Sequence, residues 1–340
     1  MTSAISDVRG NLAADALQLI ELTRRWRIAA EDLLAPLGLD EARLLADSQA
    51  VVTHDAWLRL LERARELTGE PAIGIHLGLQ QRVSAFGYLG LTTMSAPTLG
   101  DALGLATQFA AVLTNAFDIK LRVADGSVAF VLDERADFKG VRDVVLTSAL
   151  VGLATVGSSL TGRELPVTID LVIDEPPYYR SLAAVVPPMR FGQPVNQLVA
   201  DASVMEWKLA TADRLTLRLA REQCQRDLDA LRSDELLLDR VRRAAPAEQG
   251  FRTIAQVATT MRTSTRTLKR RLAEQGVTFS SVVDSERRDR ALLMLRNGRH
   301  SVTKIAQELG YASLPAFIRA FTRWTGTTPA EYRRRHLRAK

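Results

Sequence analysis

Basic side chains recur at helical spacing in the last third of the chain, and their chemistry suits contacts with nucleic acid. Arg266 and Arg270 are four residues apart, so on a helix their guanidinium groups lie on one face, one turn apart. A guanidinium can donate two hydrogen bonds to O6 and N7 of guanine, or bind a phosphate. The residues predicted to face DNA in this segment are Ser264, Thr265, Arg266, Thr267, Lys269 and Arg270. Ser264 also stands where the N-cap of the helix is expected.

This segment is the first of two copies of one pattern. The pair Val257-Ala258 recurs 48 residues later as Ile305-Ala306, and Leu268 recurs 49 residues later as Phe317. Each copy predicts a short helix with an apolar face, a tight turn, and a second helix with basic residues on its outer side. That is the helix-turn-helix pattern, whose second helix enters the major groove of DNA. Two copies in tandem predict a DNA-binding domain far more strongly than one.

The second copy offers fewer polar groups to DNA than the first. The residues predicted to face DNA there are Ser313, Leu314, Pro315, Ala316, Arg319 and Arg323. Leu314 and Ala316 have no hydrogen-bonding side chain, although an apolar group can touch a thymine methyl. We therefore expect the first unit to carry most base discrimination and the second to contribute phosphate contacts and shape fit. The basic C-terminal segment is predicted either to attract phosphate without sequence preference or to be a solvated terminus. It comprises Arg333, Arg334, Arg335, Arg338 and Lys340.

The charge distribution agrees with this prediction. The chain carries +6 overall, but residues 241–340 hold 21 Lys and Arg against 7 Asp and Glu, or +14, which leaves −8 on residues 1–240. A basic domain on an acidic body is typical of a DNA-binding domain joined to another function. A merely solubilising tail would lack aromatic residues at core-like spacing. This segment does have aromatic residues at such spacing, among them Phe279, Tyr311, Phe317, Phe321, Trp324 and Tyr332.

Several features of the 340 residues bear on the cellular setting. The single cysteine, Cys224, excludes an internal disulfide framework and fits a reducing cytoplasm. The first residues lack the basic and apolar regions of a signal peptide. Residues 144–162 carry no charge, but their last third is polar, so we expect a buried helix rather than a membrane span. The predicted location is cytoplasmic, without a membrane partner.

The first two-thirds of the chain mixes helical and strand periodicities. Residues 12–34 and 53–68 have helical spacing, and a third helix is predicted from an N-cap at Thr98 to about Leu113. Alternating apolar residues around Asp125-Gly126 predict a β-hairpin with a primed turn. A strand is expected at 167–173, with short strands at 190–192 and 198–200. The predicted fold is an α+β N-terminal domain with a small, largely antiparallel sheet and helices, followed by an all-α C-terminal domain with two helix-turn-helix units.

An amphipathic helix is predicted between these two domains, at residues 213–232. Leu217, Cys224 and Leu231 are seven residues apart, which is too few positions to indicate a coiled coil. The helix either forms a dimer or interdomain contact or packs on its own domain, and the spacing favours neither. Residues 244–250 are expected to form a turn inside the C-terminal domain.

The C-terminal hundred residues resemble the DNA-binding domain of AraC-type transcription regulators. The resemblance is carried by Ile305-Ala306-x-x-Leu309-Gly310-Tyr311, by Ala316-Phe317-x-Arg319-Ala320-Phe321-x-Arg323-Trp324-Thr325-Gly326, and by Thr328-Pro329-x-x-Tyr332-Arg333. More loosely, residues 15–205 resemble the α+β sensor domain of one AraC subgroup rather than the jelly roll of the arabinose regulator itself. That likeness is carried by residues 67–74, Gly87-Tyr88-Leu89-Gly90 and residues 95–99.

The resemblance implies a division of labour along the chain. Residues 1–210 would form an effector-sensing and dimerisation domain, 211–234 a linker helix, and 235–340 the double helix-turn-helix domain. The two units would be joined by a central helix at about 280–296, and the resemblance points to Arg266, Thr267, Lys269 and Arg270 as reading positions. The implied partners are double-stranded promoter DNA, a small-molecule effector, a second copy in a homodimer and, for an activator, RNA polymerase. No cofactor is implied, and the sequence does not identify the effector-binding residues.

Enzymatic function finds little support. The chain lacks a Gly-x-Ser-x-Gly elbow, a P-loop, a Gly-x-Gly-x-x-Gly fingerprint and a Cys-x-x-Cys pair, and its four histidines are far apart in sequence. We therefore expect no enzyme and no metal site. The alternative is an enzyme or ligand-storage domain fused to an accessory DNA-binding module. Convergent titratable groups in an N-terminal pocket would favour that alternative.

Overall fold

The structure is a computed structural model that describes residues 11–46, 51–247, 250–298 and 300–337. The chain forms two compact units, one that ends at Leu228 and one that begins at Asp229. Both contain helices, and the five-stranded sheet belongs to the first. The structure confirms the predicted fold class of an α+β N-terminal part followed by a helical C-terminal part.

Helices make up most of the first unit. Their bounds are α1 Ala13–Thr23, α2 Ala30–Leu34, α3 Glu41–Ala46, α4 His54–Thr68, α5 Ile73–Leu79, α6 Gly87–Met94, α7 Leu99–Leu113, α8 Arg142–Thr161 and α9 Tyr179–Leu182. The single helix expected at 12–34 is wrong, because Arg27 adopts a left-handed conformation (φ 60°) and separates α1 and a short 3₁₀ turn from α2. The N-cap predicted at Thr98 is confirmed, since its hydroxyl accepts from the Asp101 N–H.

The sheet lies against these helices. Its strands are β3 Phe117–Ala124, β4 Ser127–Glu134, β5 Val167–Asp170, β6 Met189–Arg190 and β7 Gln197–Asp201, while β1 Asn11–Leu12 and β2 Val51–Val52 form a separate pair. The order is β3-β4-β7-β5-β6, and only β5 and β6 pair in parallel. Asp125 and Gly126 both have positive φ, so the predicted primed turn is confirmed. The strand expected at 167–173 ends earlier, at Asp170.

The helix α8 runs through the core of the first unit. Within the described residues, the segment Lys139–Thr161 is the one candidate membrane span by length and apolarity. Its side chains Val144, Leu146 and Leu150 are buried among helices and sheet. Gly74 of α5 lies so close to α8 that a Cβ there would collide with the Val144 carbonyl. This packing is that of the core helix of a globular unit, as predicted.

The second unit contains the two predicted helix-turn-helix motifs. Its helices are α11 Ile254–Thr260, α12 Thr265–Glu274, α13 Phe279–Asn297, α14 Val302–Glu308, α15 Leu314–Thr325 and α16 Pro329–Leu337. Leu268 and Leu272 bury into a first core with Val257, and Phe317 and Phe321 bury into a second. The central helix α13 agrees with the expected range and is about 28 Å long at about 1.5 Å per residue.

The helix expected at 213–232 is longer than predicted and ends inside the second unit. This helix, α10, runs from Arg214 to Ala244. In the first unit, Cys224 and Leu228 pack against Leu89 and Phe109. This part of α10 therefore packs on its own domain, which was one of the two interpretations. The turn expected at 244–250 is present at its described residues, with a hydrogen bond from Ala247 N–H to Gly250 O; residues 248 and 249 lie outside the described residues.

Candidate DNA-binding surface and effector cavity

The turn of the first motif brings α11 and α12 together through backbone hydrogen bonds. After α11, Arg262 takes a left-handed conformation (φ 55°) and its N–H donates to Thr259 O. The Thr263 N–H then donates to Ala258 O at 2.9 Å. Ser264 begins α12 by accepting from the Thr267 N–H at 3.0 Å. The helix therefore begins at a side-chain cap fixed by the turn.

The second motif repeats this turn at a glycine. Gly310 is left-handed (φ 76°) at the position that Arg262 has in the first motif, and its N–H donates to Gln307 O. The Tyr311 N–H donates to Ala306 O at 2.9 Å. Ser313 then caps α15 by accepting from the Ala316 N–H. The repeat seen in the sequence is thus a repeat of local geometry.

The basic residues of α12 that are predicted to face DNA lie within about one turn of each other. Arg266, Lys269 and Arg270 are all exposed. Arg270 forms an ion pair with Glu274 on its own helix, whereas Arg266 and Lys269 form no ion pair within the described ranges. Thr265 and Thr267 are half-buried, and the Thr267 hydroxyl lies 2.8 Å from the Ser264 hydroxyl. The outer surface of α12 is therefore formed mainly by long basic side chains.

The two arginines on the exposed side of α15 differ in whether they form an ion pair. Arg319 is exposed and has no ion pair among the described residues. Arg323 is also exposed, but its guanidinium lies 3.5 Å from a carboxylate oxygen of Asp284 on α13. Leu314, which the sequence placed towards DNA, is half-buried and packs against the second core. Ala316 is half-buried and Pro315 exposed.

The two motifs are joined by a backbone contact between Gly250 and Gly310, which was not predicted from the sequence. Gly250 and Gly310 touch through their backbones, so that a Cβ on Gly310 would lie 2.8 Å from the Gly250 Cα. The Gly250 N–H donates to Glu308 O at 3.1 Å. The guanidinium carbon of Arg287 on α13 lies 5.2 Å from the ring centroid of Tyr311. The Arg287 Nε–H donates to Leu309 O in the turn of the second motif. The sequence signal that could have revealed this contact is the pair of glycines, because glycine tolerates positive φ and allows two backbones to approach closely.

The basic end has mixed roles. Arg333 donates to the carbonyl of His300 at 2.6 Å and so ties α16 to the loop before α14. Arg334 and Arg335 are exposed. Arg338 and Lys340 lie outside the described residues.

A cavity of about 280 Å³ lies inside the first unit, between the helices and the sheet. Most of its lining is aliphatic or aromatic and comes from α7, α8 and the inner face of the sheet. Representative side chains are Leu103, Ala106, Phe130, Leu153, Val156 and Leu198. A largely apolar cavity with a few polar groups is the common form of a small-molecule site.

The polar lining groups of this cavity are few. They are Asp15, Gln18, His54, Gln81, Thr93, Thr114 and Ser148. The hydroxyls of Thr93 and Ser148 donate to carbonyls of their own helices. His54 lies with its ring centroid 6.0 Å from that of Phe138 and its Nε2 atom 3.5 Å from Asp137 O. The described residues contain no group of three or more His, Cys, Asp or Glu side chains placed to hold a metal ion.

These features define the class of the protein: two linked helix-turn-helix motifs that follow an α+β unit with an internal cavity. Comparison with known families agrees. The model described as the arabinose-binding domain of AraC transcription regulators, N-terminal, matches residues 28–209. A model described as a helix-turn-helix domain matches residues 257–335.

Similar proteins extend over most of the chain. The ornithine utilization regulator of Pseudomonas aeruginosa is 33% identical over 286 residues, which cover 81% of this chain and 82% of that protein. An uncharacterized HTH-type transcriptional regulator of Mycobacterium tuberculosis is 30% identical over 335 residues, or 93% of this chain and 94% of the relative. The crystal structure of the transcriptional regulator CdpR from Pseudomonas aeruginosa covers 94% of this chain and 98% of its own, at 23% identity and a TM-score of 0.46.

The chain belongs to the AraC family of transcription regulators. It has the arabinose-binding-like sensor domain and the helix-turn-helix DNA-binding domain of that family. The resemblance identified in both parts of the sequence is confirmed.

Proposed function

We propose that α12 reads base edges in the major groove and that α15 mainly holds the DNA backbone. The observation that carries this proposal is the difference between the two helices. Arg266 and Lys269 are exposed and have no ion pair within the described ranges, whereas Arg323 is engaged by Asp284. An arginine without a competing carboxylate keeps its full hydrogen-bonding capacity for guanine. Arg319 is then the main polar contact of the second motif.

The remaining predicted contact residues have supporting roles in this proposal. Ser264 and Ser313 already cap their helices by accepting from the N–H groups of Thr267 and Ala316, so in this proposal they fix the helix starts rather than read a base. Shape fit comes from residues at the starts of the two helices, namely Thr265, Thr267, Leu314 and Ala316. Arg270 can give up its ion pair with Glu274 and bind DNA instead. Residues 235–340 would form the DNA-binding domain in this assignment, after a sensor at 1–210 and a linker helix at 211–234.

The sensor would control DNA binding through a small molecule held in the cavity of the first unit. A ligand can do so only if it binds the DNA-competent and incompetent states with different affinity. The exposed Leu215 and Leu219 on α10 support a homodimer contact through the outer side of this helix. The protein would act in the cytoplasm on promoter DNA, and as an activator it would also contact RNA polymerase.

The accessory-module alternative requires an enzyme or storage site in the first unit. Asp15 and His54 are the titratable groups of the cavity lining. A hydrolytic or acid–base site needs such groups within hydrogen-bonding distance of each other and of a reacting atom. The predominance of aliphatic side chains in the lining favours a sensor.

The test uses the full chain. A binding site is first selected from randomised duplex DNA, and its affinity is then measured against salt. We expect the logarithm of the affinity to fall with log salt by about 0.9 per neutralised phosphate. Salt-independent binding, or no selected sequence, would contradict the DNA-reading assignment. A metabolite screen that includes ornithine, chosen because of the relative's name, then asks whether any compound changes affinity or half-site spacing; if none does, the accessory-module alternative is preferred.

A further inference from the structure

The chemistry of the cavity narrows the class of molecule that it can hold. One part of its lining, the apolar part, comes from a single hydrophobic cluster at the start of α7, in β4, in the segment after α8 and in the 3₁₀ turn after β7. Leu99, Val128, Leu165 and Val204 belong to this part. Burial of a methylene group among such side chains gains free energy, whereas burial of an unpaired hydroxyl costs it. The apolar part of the cavity therefore accepts a hydrocarbon chain.

The polar groups of the lining come mainly from the helices α1, α4, α6 and α8. Gln18 of α1 and His54 of α4 are among them. The Gln18 Oε1 atom is buried and accepts no hydrogen bond from any described residue. A buried carbonyl oxygen without a donor is unusual, because leaving it unpaired costs more than a typical hydrogen bond gains. A ligand that donates an O–H or N–H to this oxygen would remove that cost.

The charge of the lining excludes a further group of ligands. Asp15 is acidic, and no Lys or Arg is among the described residues that line the cavity. An alkyl carboxylate would have to bury its negative charge beside a carboxyl group and without a permanent cation among the described lining residues, where His54 is the one side chain that can become positively charged, and this is unfavourable. The head group that fits is therefore uncharged.

We propose that the effector is a medium-length aliphatic molecule with one uncharged donor group, such as a primary alcohol or amide. Its donor binds Gln18 Oε1, and its chain fills the apolar part of the cavity between α7, α8 and the sheet. This inference rests on the proposed sensor function and specifies its ligand. A pentose does not fit, despite the name of the domain family, because several of its hydroxyls would face aliphatic side chains without partners.

The first experiment measures calorimetric binding of two homologous series to the full chain. Straight-chain 1-alkanols and alkanoates of matched length are compared at pH 7, with L-arabinose alongside. We expect alkanol affinity to rise about fourfold per methylene, the equivalent of about 0.8 kcal/mol, until the cavity is full. Each alkanoate should bind at least about tenfold more weakly than its alkanol. Equal or tighter alkanoate binding, affinity that is independent of chain length, or binding of arabinose alone would overturn the proposal.

A pair of variants locates the head group. Gln18→Leu removes the unpaired oxygen, so it should raise the melting temperature of the ligand-free protein and weaken alkanol binding by about tenfold. Gln108→Leu is the matched control, since Gln108 is exposed on α7 and its side chain is not part of the cavity lining. The control should leave alkanol affinity within about twofold. An equal loss in both variants, or none in Gln18→Leu, would refute the contact with Gln18.

Failure of this inference can be told from failure of the sensor function. Alkanol binding is measured by calorimetry, and DNA affinity is measured with and without the bound alkanol. Chain-length-dependent binding with unchanged DNA affinity supports the ligand class and contradicts the sensor function. A DNA response to a sugar or amino acid, without alkanol binding, supports the sensor and overturns the ligand class.

Discussion

The joint between the two helix-turn-helix motifs allows a sharp test, Gly310→Ala. Gly310 is left-handed (φ 76°), and an added Cβ would lie 2.8 Å from the Gly250 Cα. The neighbour is backbone, so it cannot rotate away as a side chain would. The substitution must therefore displace the turn of the second motif from the segment that precedes the first motif.

The expected cost follows from two contributions. A residue with a Cβ in the left-handed conformation costs about 1–2 kcal/mol. Overpacking against the backbone adds about 1–3 kcal/mol, so the total for Gly310→Ala is about 2–5 kcal/mol. Gly326 at the end of α15 is the matched control: its φ is 71°, and an added Cβ would meet nothing within 4 Å. Gly326→Ala should cost only the conformational part, about 1–2 kcal/mol.

The assay follows local opening and DNA binding in the full chain. Because a chain of two units need not unfold in one step, hydrogen exchange in α14 and α15 is the suitable stability measurement. Two linked motifs gain about 10²–10⁴ in affinity over one when both fit the DNA together. Gly310→Ala should lose at least about tenfold of that gain on a complete site and change little on a site that contains only the first element.

The control variant decides the outcome. Gly326→Ala should keep the ratio of affinities for the complete and the shortened site. If Gly310→Ala exchanges and binds as Gly326→Ala does, the contact between Gly250 and Gly310 does not set the spacing of the motifs, and the reasoning is wrong.

Three further predictions concern single side chains. Arg266→Ala should cost about 1–3 kcal/mol on the selected site and relax preference at one base pair, whereas Arg335→Ala should weaken all sequences about equally and lower the salt slope by ~1; a changed sequence preference only for Arg335→Ala would reverse the assignment. Arg262→Gly should stabilise the first motif by up to about 1 kcal/mol, measured by hydrogen exchange. The substitution removes the cost of an arginine in the left-handed conformation, and the greater flexibility of glycine in the unfolded chain offsets part of that gain. A destabilised variant would contradict this prediction. Burial raises the pKa of the Cys224 thiol, so alkylation at pH 8 should be slow in the folded protein and become fast on unfolding; rapid labelling under native conditions would show that α10 opens there.

Local sequence patterns predicted much of the fold, because they express local physics. The turn at Asp125-Gly126 requires positive φ at both residues, and Asp and Gly tolerate it. The two helix-turn-helix motifs were evident because apolar spacing and caps repeat. The interruption at Arg27 was missed because arginine is rarely left-handed, and periodicity on both sides of it continued.

The sequence by itself determined the family, the fold class and the two candidate DNA-facing helices, since each depends on residues close together in the chain. The tertiary structure decided which of the basic side chains on those helices form ion pairs with other helices. Arg323 is paired with Asp284, 39 residues away, and no local pattern could show that. The cavity was also invisible in sequence: Gln18, Phe130 and Val204 line it together, although they are separated by more than half the chain. A helix or a turn depends on neighbours in sequence, but an ion pair between helices and a cavity depend on how distant segments pack.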